Sequence, residues 1–168
     1  MKKLTFILTF FFTATLCFGQ ANYLPERKAF RLSLVVDDTT FYSVNIKASA
    51  FVLPDNTVQL YSGEKVYVEV EIEGNEIKSM RSVKENNNPA KTLTISFVQH
   101  TEGRKHDQMV LEIANPFKKK LEYTAHIFLM KQNKWVGTNV LPVSEKITAF
   151  ENWPDIITTI ALSGWMFK

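Results

Sequence analysis

Few residues in this chain have types and spacing that could do chemistry. His100 and His106, with Glu102 and Asp107 beside them, form its densest set of proton-transferring and metal-ligating groups. Zinc needs His, Cys or carboxylate ligands fixed on rigid elements at close spacing. Here Gly103, Arg104 and Lys105 lie between the histidines, and their positive charge opposes a cation. With no third ligand in sight, the pair reads as solvated loop histidines in a polar stretch between two strands. A hydrolase worked by His100, His106 and Asp107 is the most distant functional alternative. His126 falls mid-strand among apolar neighbours and reads as a hydrogen-bonded core or interface histidine.

Other reactive arrangements are weaker. The chain lacks a Gly-x-Ser-x-Gly elbow, and Ser163-Gly164 has no strand-to-helix turn to expose its hydroxyl. Asp37-Asp38 reads as a turn, and Glu69 with Glu71 as the outer face of a strand. Glycosidase chemistry requires two carboxyls about 5–10 Å apart in a cleft, and nothing in the sequence builds one. No Gly-rich phosphate loop is present. The reading is therefore non-enzymatic, without catalytic residues, metal or cofactor.

Two groups remain as candidate binding residues. Lys118, Lys119 and Lys120 form the only dense charge run, at what reads as a hairpin tip. They could touch anionic lipid or lipopolysaccharide phosphates at about 1 kcal/mol per Lys, although a solvated turn is the favoured reading. Trp153 and Trp165, with Trp135, could form a carbohydrate-stacking platform, against the commoner use of Trp as a core or sheet-closing residue. The apolar terminus Trp165-Met166-Phe167-Lys168 reads as a last strand tied into a sheet, since free ends are usually polar and frayed.

The elements that must position these residues are strands. Val66, Val68, Val70 and Ile72 alternate with Lys65, Tyr67, Glu69 and Glu71, with Gly63 and Gly74 at either end. That period of two marks a half-buried strand. Leu93, Ile95 and Phe97 repeat the pattern, as do Met109, Leu111 and Ile113. Leu121 to Met130 is apolar on both faces and reads as a central strand covered on both sides. Weaker strands are expected over 30–36, 41–48, 58–61, 77–83, 135–141 and 156–165. Asp37 to Thr40 and Asn115-Pro116 supply turns, and Glu85 to Ala90 a loop. Trp153-Pro154 could start a helical turn within 151–162. Short strands with turn signals every 8–12 residues indicate a sandwich or barrel.

The first residues carry an address. Lys2 and Lys3 precede an apolar run from Leu4 to about Leu16, and Cys17 and Gly19 supply small residues ahead of Gln20. This is the order of a signal peptide over 1–19, cleaved near Gly19–Gln20. The run falls short of the about 20 apolar residues of a membrane span. Leu16 ahead of Cys17 argues against a lipobox. Residues 20–168 then form one domain, exported to the periplasm or beyond, with no transmembrane segment. Removing Lys2 and Lys3 changes 20 Lys+Arg against 17 Asp+Glu to 18 against 17, without the basic footprint of a nucleic-acid binder. Cys17, the only cysteine, leaves with the leader, which excludes disulfides and thiolate chemistry. Thirteen Phe, five Tyr and three Trp supply apolar area for a core.

Val58 to Val68, where a Gly-bearing turn feeds a long alternating strand, resembles bacterial immunoglobulin-like domains. Met109 to Tyr123 is similar to a later hairpin of such domains, with an Asn closing one strand and an aromatic marking the next. Leu141-Pro142-Val143, Phe150 to Pro154 and Ile160-Ala161-Leu162 are similar to the end of small exported proteins of unknown function from Gram-negative bacteria. Some of those have a cysteine where this chain has Leu141. The resemblance implies an all-β, immunoglobulin-like sandwich of two mainly antiparallel sheets, and no activity. The expected function is a non-catalytic binding or accessory module of the cell envelope, meeting another envelope protein or component through loops or an exposed strand edge. The alternative is a small-ligand or glycan binder using aromatic side chains.

Overall fold

The structure, a computed structural model, describes residues 27–168. The expected signal peptide and Cys17 lie outside the described residues. The remainder is all-β. In chain order the strands are β1 (Phe30–Val35), β2 (Phe41–Ile46), β3 (Val58–Tyr61), β4 (Glu64–Glu73), β5 (Glu76–Val83) and β6 (Thr92–Glu102). After these come β7 (Lys105–Ala114), β8 (Leu121–Leu129), β9 (Lys134–Thr138), β10 (Thr148–Trp153) and β11 (Ile157–Phe167).

Alternation decides which side of each strand is buried. Val66, Val68 and Val70 of β4 are buried, and Leu93, Ile95 and Phe97 meet them from β6 and β7 adds Met109, Leu111 and Ile113. These strands belong to a five-stranded antiparallel sheet in the order β10-β7-β6-β4-β5. Val58 and Leu60 of β3, alternate residues of β8, and Ile160 and Leu162 of β11 face them from a second sheet, ordered β3-β11-β8-β9. The two inner faces share one continuous apolar core. Strands β1 and β2 form a separate hairpin with its own small cluster around Leu32, Leu34 and Ile156.

Several expectations change. The β7–β8 segment is not a hairpin: its strands belong to different sheets, so Asn115 to Lys120 arches from one layer to the other. Asn115 is buried there. Its Nδ2 faces the carbonyls of Lys119, Val143 and Ser144, and its Oδ1 accepts the Phe117 N–H at 3.0 Å. Residues 151–162 form the end of β10 and the start of β11, with no helix. Strand β8 lies between β11 and β9, yet its outer face is uncovered at Thr124 and His126, and His126 stands exposed there rather than in the core. His100 and His106 are on β6 and β7, not in a loop. The last strand reaches Phe167, and Lys168 exchanges two backbone hydrogen bonds with Lys120.

Candidate functional site

The outer face of the four-stranded sheet carries an aromatic row. Register places Tyr61 of β3 beside Thr159 of β11, Thr159 beside Phe128 of β8, and Phe128 beside Trp135 of β9. Laterally paired residues share a face of the sheet, so the four form one rung across all its strands. Phe128 and Trp135 meet edge to face at 5.5 Å and 76°. The next rung, Gln59–Ala161–His126–Gly137, is low because Ala161 and Gly137 carry little or no side chain. A register shift between Ile157 and Thr159 adds a residue to β11, and Thr158 and Thr159 both reach the site. Bulges of this kind re-aim side chains beside functional surfaces.

The β1–β2 hairpin supplies the opposite wall. Tyr42, Val44 and Ile46 recur at period two on β2 and turn toward the sheet. Between hairpin and sheet lies a cleft of about 250 Å3. Leu32 and Leu34 on β1 pack with Ile156 and fix the hairpin against the body of the fold. Its turn is closed by Asp37, whose carboxylate accepts the N–H groups of Thr39 and Thr40. Those bonds, the one from Thr39 foremost, hold its pKa below the ordinary value. At this same turn end Gln99 of β6 acts as a surrogate strand: its Oε1 accepts the Val35 N–H at 2.9 Å and its Nε2 donates to the Val35 carbonyl at 2.8 Å.

Arg27 secures the remaining side. It is 2% exposed and forks onto Glu64, with Nε to Oε1 at 2.6 Å and Nη2 to Oε2 at 3.0 Å. Its Nη2 also donates to the Gln59 carbonyl at 2.6 Å. The guanidinium lies 4.4 Å from the Phe51 ring centre and 5.0 Å from that of Tyr61. A planar, weakly hydrated cation suits such an aromatic sandwich. Tyr61 is thus held by Arg27 on one side and by the edge of Phe30 on another, at 6.1 Å.

Among the described residues no charged side chain lines the cleft. Its internal hydrogen bonds are Gln59 Nε2 to Thr159 Oγ1 at 3.3 Å and Thr159 Oγ1 to the Leu60 carbonyl at 2.8 Å. Among the described residues, the Tyr42 and Tyr61 hydroxyls and the Trp135 indole N–H have no partner. Among the described residues the cleft therefore offers aromatic surface and neutral hydrogen-bond donors and acceptors.

The residues singled out in the sequence lie elsewhere. Trp165 stacks on Tyr123 at 5.2 Å and donates its indole N–H to the Asn56 carbonyl at 3.1 Å. Burial, and secondarily the charge of Glu151, pushes the Tyr123 phenol well above its ordinary range. Trp153 donates to Thr138 Oγ1 at 3.0 Å and packs against the main core. Lys119 reaches Gly74 O and Asn75 Oδ1, and Lys120 lies 3.6 Å from Glu122, while Lys118 is exposed. The structure brings neither tryptophan into the cleft. Among the described residues no group of three or more His, Cys, Asp or Glu is placed to hold a metal ion, and no helix is long and apolar enough to cross a membrane.

Comparison of the chain with known families, characterised proteins and solved structures gives no match. Of the cleft residues, Trp135 alone was singled out from the sequence. Tyr42, Tyr61 and Phe128 come from strands remote in the chain, and only register places them together.

Proposed function

We propose that this chain is an exported, non-catalytic binding module whose ligand lies across the outer face of the four-stranded sheet, beneath the β1–β2 hairpin. The observation that supports it is the aromatic rung Tyr61–Thr159–Phe128–Trp135, walled by Tyr42 and without a charged side chain among the described residues that line it. Tyr42 and Tyr61 also pack against the hairpin cluster, and Trp135, 44% exposed, is the ring that the fold leaves open. Concave, mostly apolar sites with a few polar groups are the common form of small-ligand sites. The expected leader over 1–19 supports export, and the resemblance of Leu141 to Val143, Phe150 to Pro154 and Ile160 to Leu162 to small Gram-negative exported proteins supports an envelope setting.

An immunoglobulin-like reading of the fold is supported by strand order. In immunoglobulin domains A-B-E-D packs on G-F-C, with C′ added beyond C in variable types. Here β6-β7-β10 matches A-B-E, and β11-β8-β9 matches F-C-C′. The departures are β3, which fills the G position although it comes early in the chain, β4 and β5, which lie beyond the A position, and, among the described residues, the lack of a D strand beyond β10.

A second reading, pairing through a strand edge, is favoured by β10. That edge strand pairs only with β7 and exposes Phe150, which is 61% accessible. Edge strands can take up a partner strand through main-chain bonds. Hydrogen exchange of the purified protein with and without solubilised envelope separates the two. The proposal expects slowed exchange in β2 and β9. Slowing confined to β10 would favour the edge and reject the cleft.

A further inference from the structure

We infer that the ligand of this cleft is a short, uncharged segment of carbohydrate, one or two rings of a neutral oligosaccharide. The inference rests on the binding reading above and names its ligand class. A sugar ring has an apolar C–H face and a rim of neutral hydroxyls, and the cleft has the complement of both. Trp135 is 44% exposed at the rung's outer end. Tyr42 and Tyr61 line the same cleft. The polar groups around these rings are phenol, indole N–H, amide and hydroxyl. Each exchanges hydrogen bonds with hydroxyls without an ionic partner.

Two other ligand chemistries fit less well. An anionic headgroup or an acidic peptide needs a cation, and among the described residues none lines the cleft. Arg27, which stacks on the cleft residue Tyr61, has its charge paired with Glu64 and its guanidinium against Phe51 and Tyr61. An acyl chain would cover the Tyr42, Tyr61 and Trp135 polar tips and leave them unbonded, at about 1–3 kcal/mol for each tip buried. Size agrees with a short glycan. The rung spans three inter-strand steps, about 14 Å. The cleft's volume of about 250 Å3 lies just under the roughly 300–1,000 Å3 of drug-sized sites.

Nuclear magnetic resonance of the indole N–H groups tests this with internal controls, because Trp153 and Trp165 are hydrogen-bonded within the fold. The probes are glucose and N-acetylglucosamine oligomers, titrated into the exported protein. One of these series should shift the Trp135 signal saturably and leave Trp153 and Trp165 in place. Trp135→Ala, an exposed edge-strand change that leaves the core intact, should weaken binding about tenfold or more, and Trp135→Phe should restore part of it. Absence of a Trp135 shift with every neutral oligomer overturns the carbohydrate assignment. If envelope material still slows exchange in β2 and β9 in that case, the binding module stands with another ligand. If it does not, both readings fall.

Discussion

Arg27 and Glu64 form a buried, forked ion pair that joins the chain entering the fold to the turn between its two sheets. Glu64 opens β4, and its Oε2 also accepts the Tyr61 N–H at 2.8 Å, so one carboxylate organises both ends of the Ser62-Gly63 turn. Removing one member of a buried pair strands the other charge, which typically costs about 3–5 kcal/mol. Arg27→Ala is therefore expected to lower unfolding free energy by that order in a denaturant titration. Arg27→Lys should recover little, because an ammonium cannot make the bidentate fork or stack between Phe51 and Tyr61. A fully stable lysine variant would show that charge alone is sufficient.

Gln99 ties the hairpin to the body. Its Nε2 also lies 2.9 Å from His106 Nδ1, and His106 Nε2 lies 3.1 Å from the Pro154 carbonyl. Since Gln99 Nε2 donates and a carbonyl accepts, the ring proton sits on Nε2. Gln99→Leu leaves the Val35 N–H and C=O without these partners, an expected loss of about 1–3 kcal/mol if they stay dry. The loss should appear first as faster amide exchange in β1 and β2, with β6 to β8 protected, because local opening precedes global unfolding. Uniform acceleration across both sheets would contradict a separately anchored hairpin.

Asn115 is the fixed point of the arch between β7 and β8. Asn115→Asp replaces an amide donor with a carboxylate facing three carbonyl oxygens. Losing the donor and burying a charge among acceptors should cost about 3 kcal/mol or more. Thermal unfolding of this variant should improve at acid pH, where the aspartate is neutral; an unchanged midpoint would remove Asn115 from this role.

Four carboxylates, Asp37 and Asp55 exposed and Glu69 and Glu122 half-buried, titrate below their ordinary values of 3.8 for Asp and 4.5 for Glu. The Thr39 and Thr57 N–H groups lower Asp37 and Asp55. The Arg81 hydrogen bond, then that of Asn88, lowers Glu69, and Lys168 lowers Glu122. A depressed folded pKa gives stabilisation that is complete above the unfolded value and lost as pH falls through the folded one. The melting temperature should hold across neutral pH and decline once pH drops into the range of those ordinary values. Solvent screening keeps each contribution small. A rise in stability on acidification would contradict this sign.

The strands with one buried face were legible because alternation alone defines them: β4 and the inner faces of β6 to β8 follow from Val, Leu and Ile at period two. Strand β3 was readable to its ends at Val58 and Tyr61. Strand β10 was not, because Thr148 to Trp153 is an edge strand with mixed polarity and Pro154 after it imitates a helix start. The bulge in β11 brings Ile157 to Ile160 all into burial and erases its alternation. The cleft was hidden for a different reason. Its rung joins residues on four strands, and lateral register leaves no local pattern. Trp153 and Trp165 drew attention by type, whereas hydrogen bonding to Thr138 and Asn56 fixes what each does.

The most direct test of the binding site is photo-crosslinking in intact cells, with a benzophenone side chain at position 137 in one strain and at position 150 in another. Gly137 is two residues from Trp135 on the same face of β9, and a side chain there meets only the His126 ring, so the rung itself is left intact. A ligand under the hairpin should give a discrete adduct at 137, diminished by Tyr42→Ala, and none at 150. An adduct at 150 with position 137 silent would contradict the account and move the site to the β10 edge.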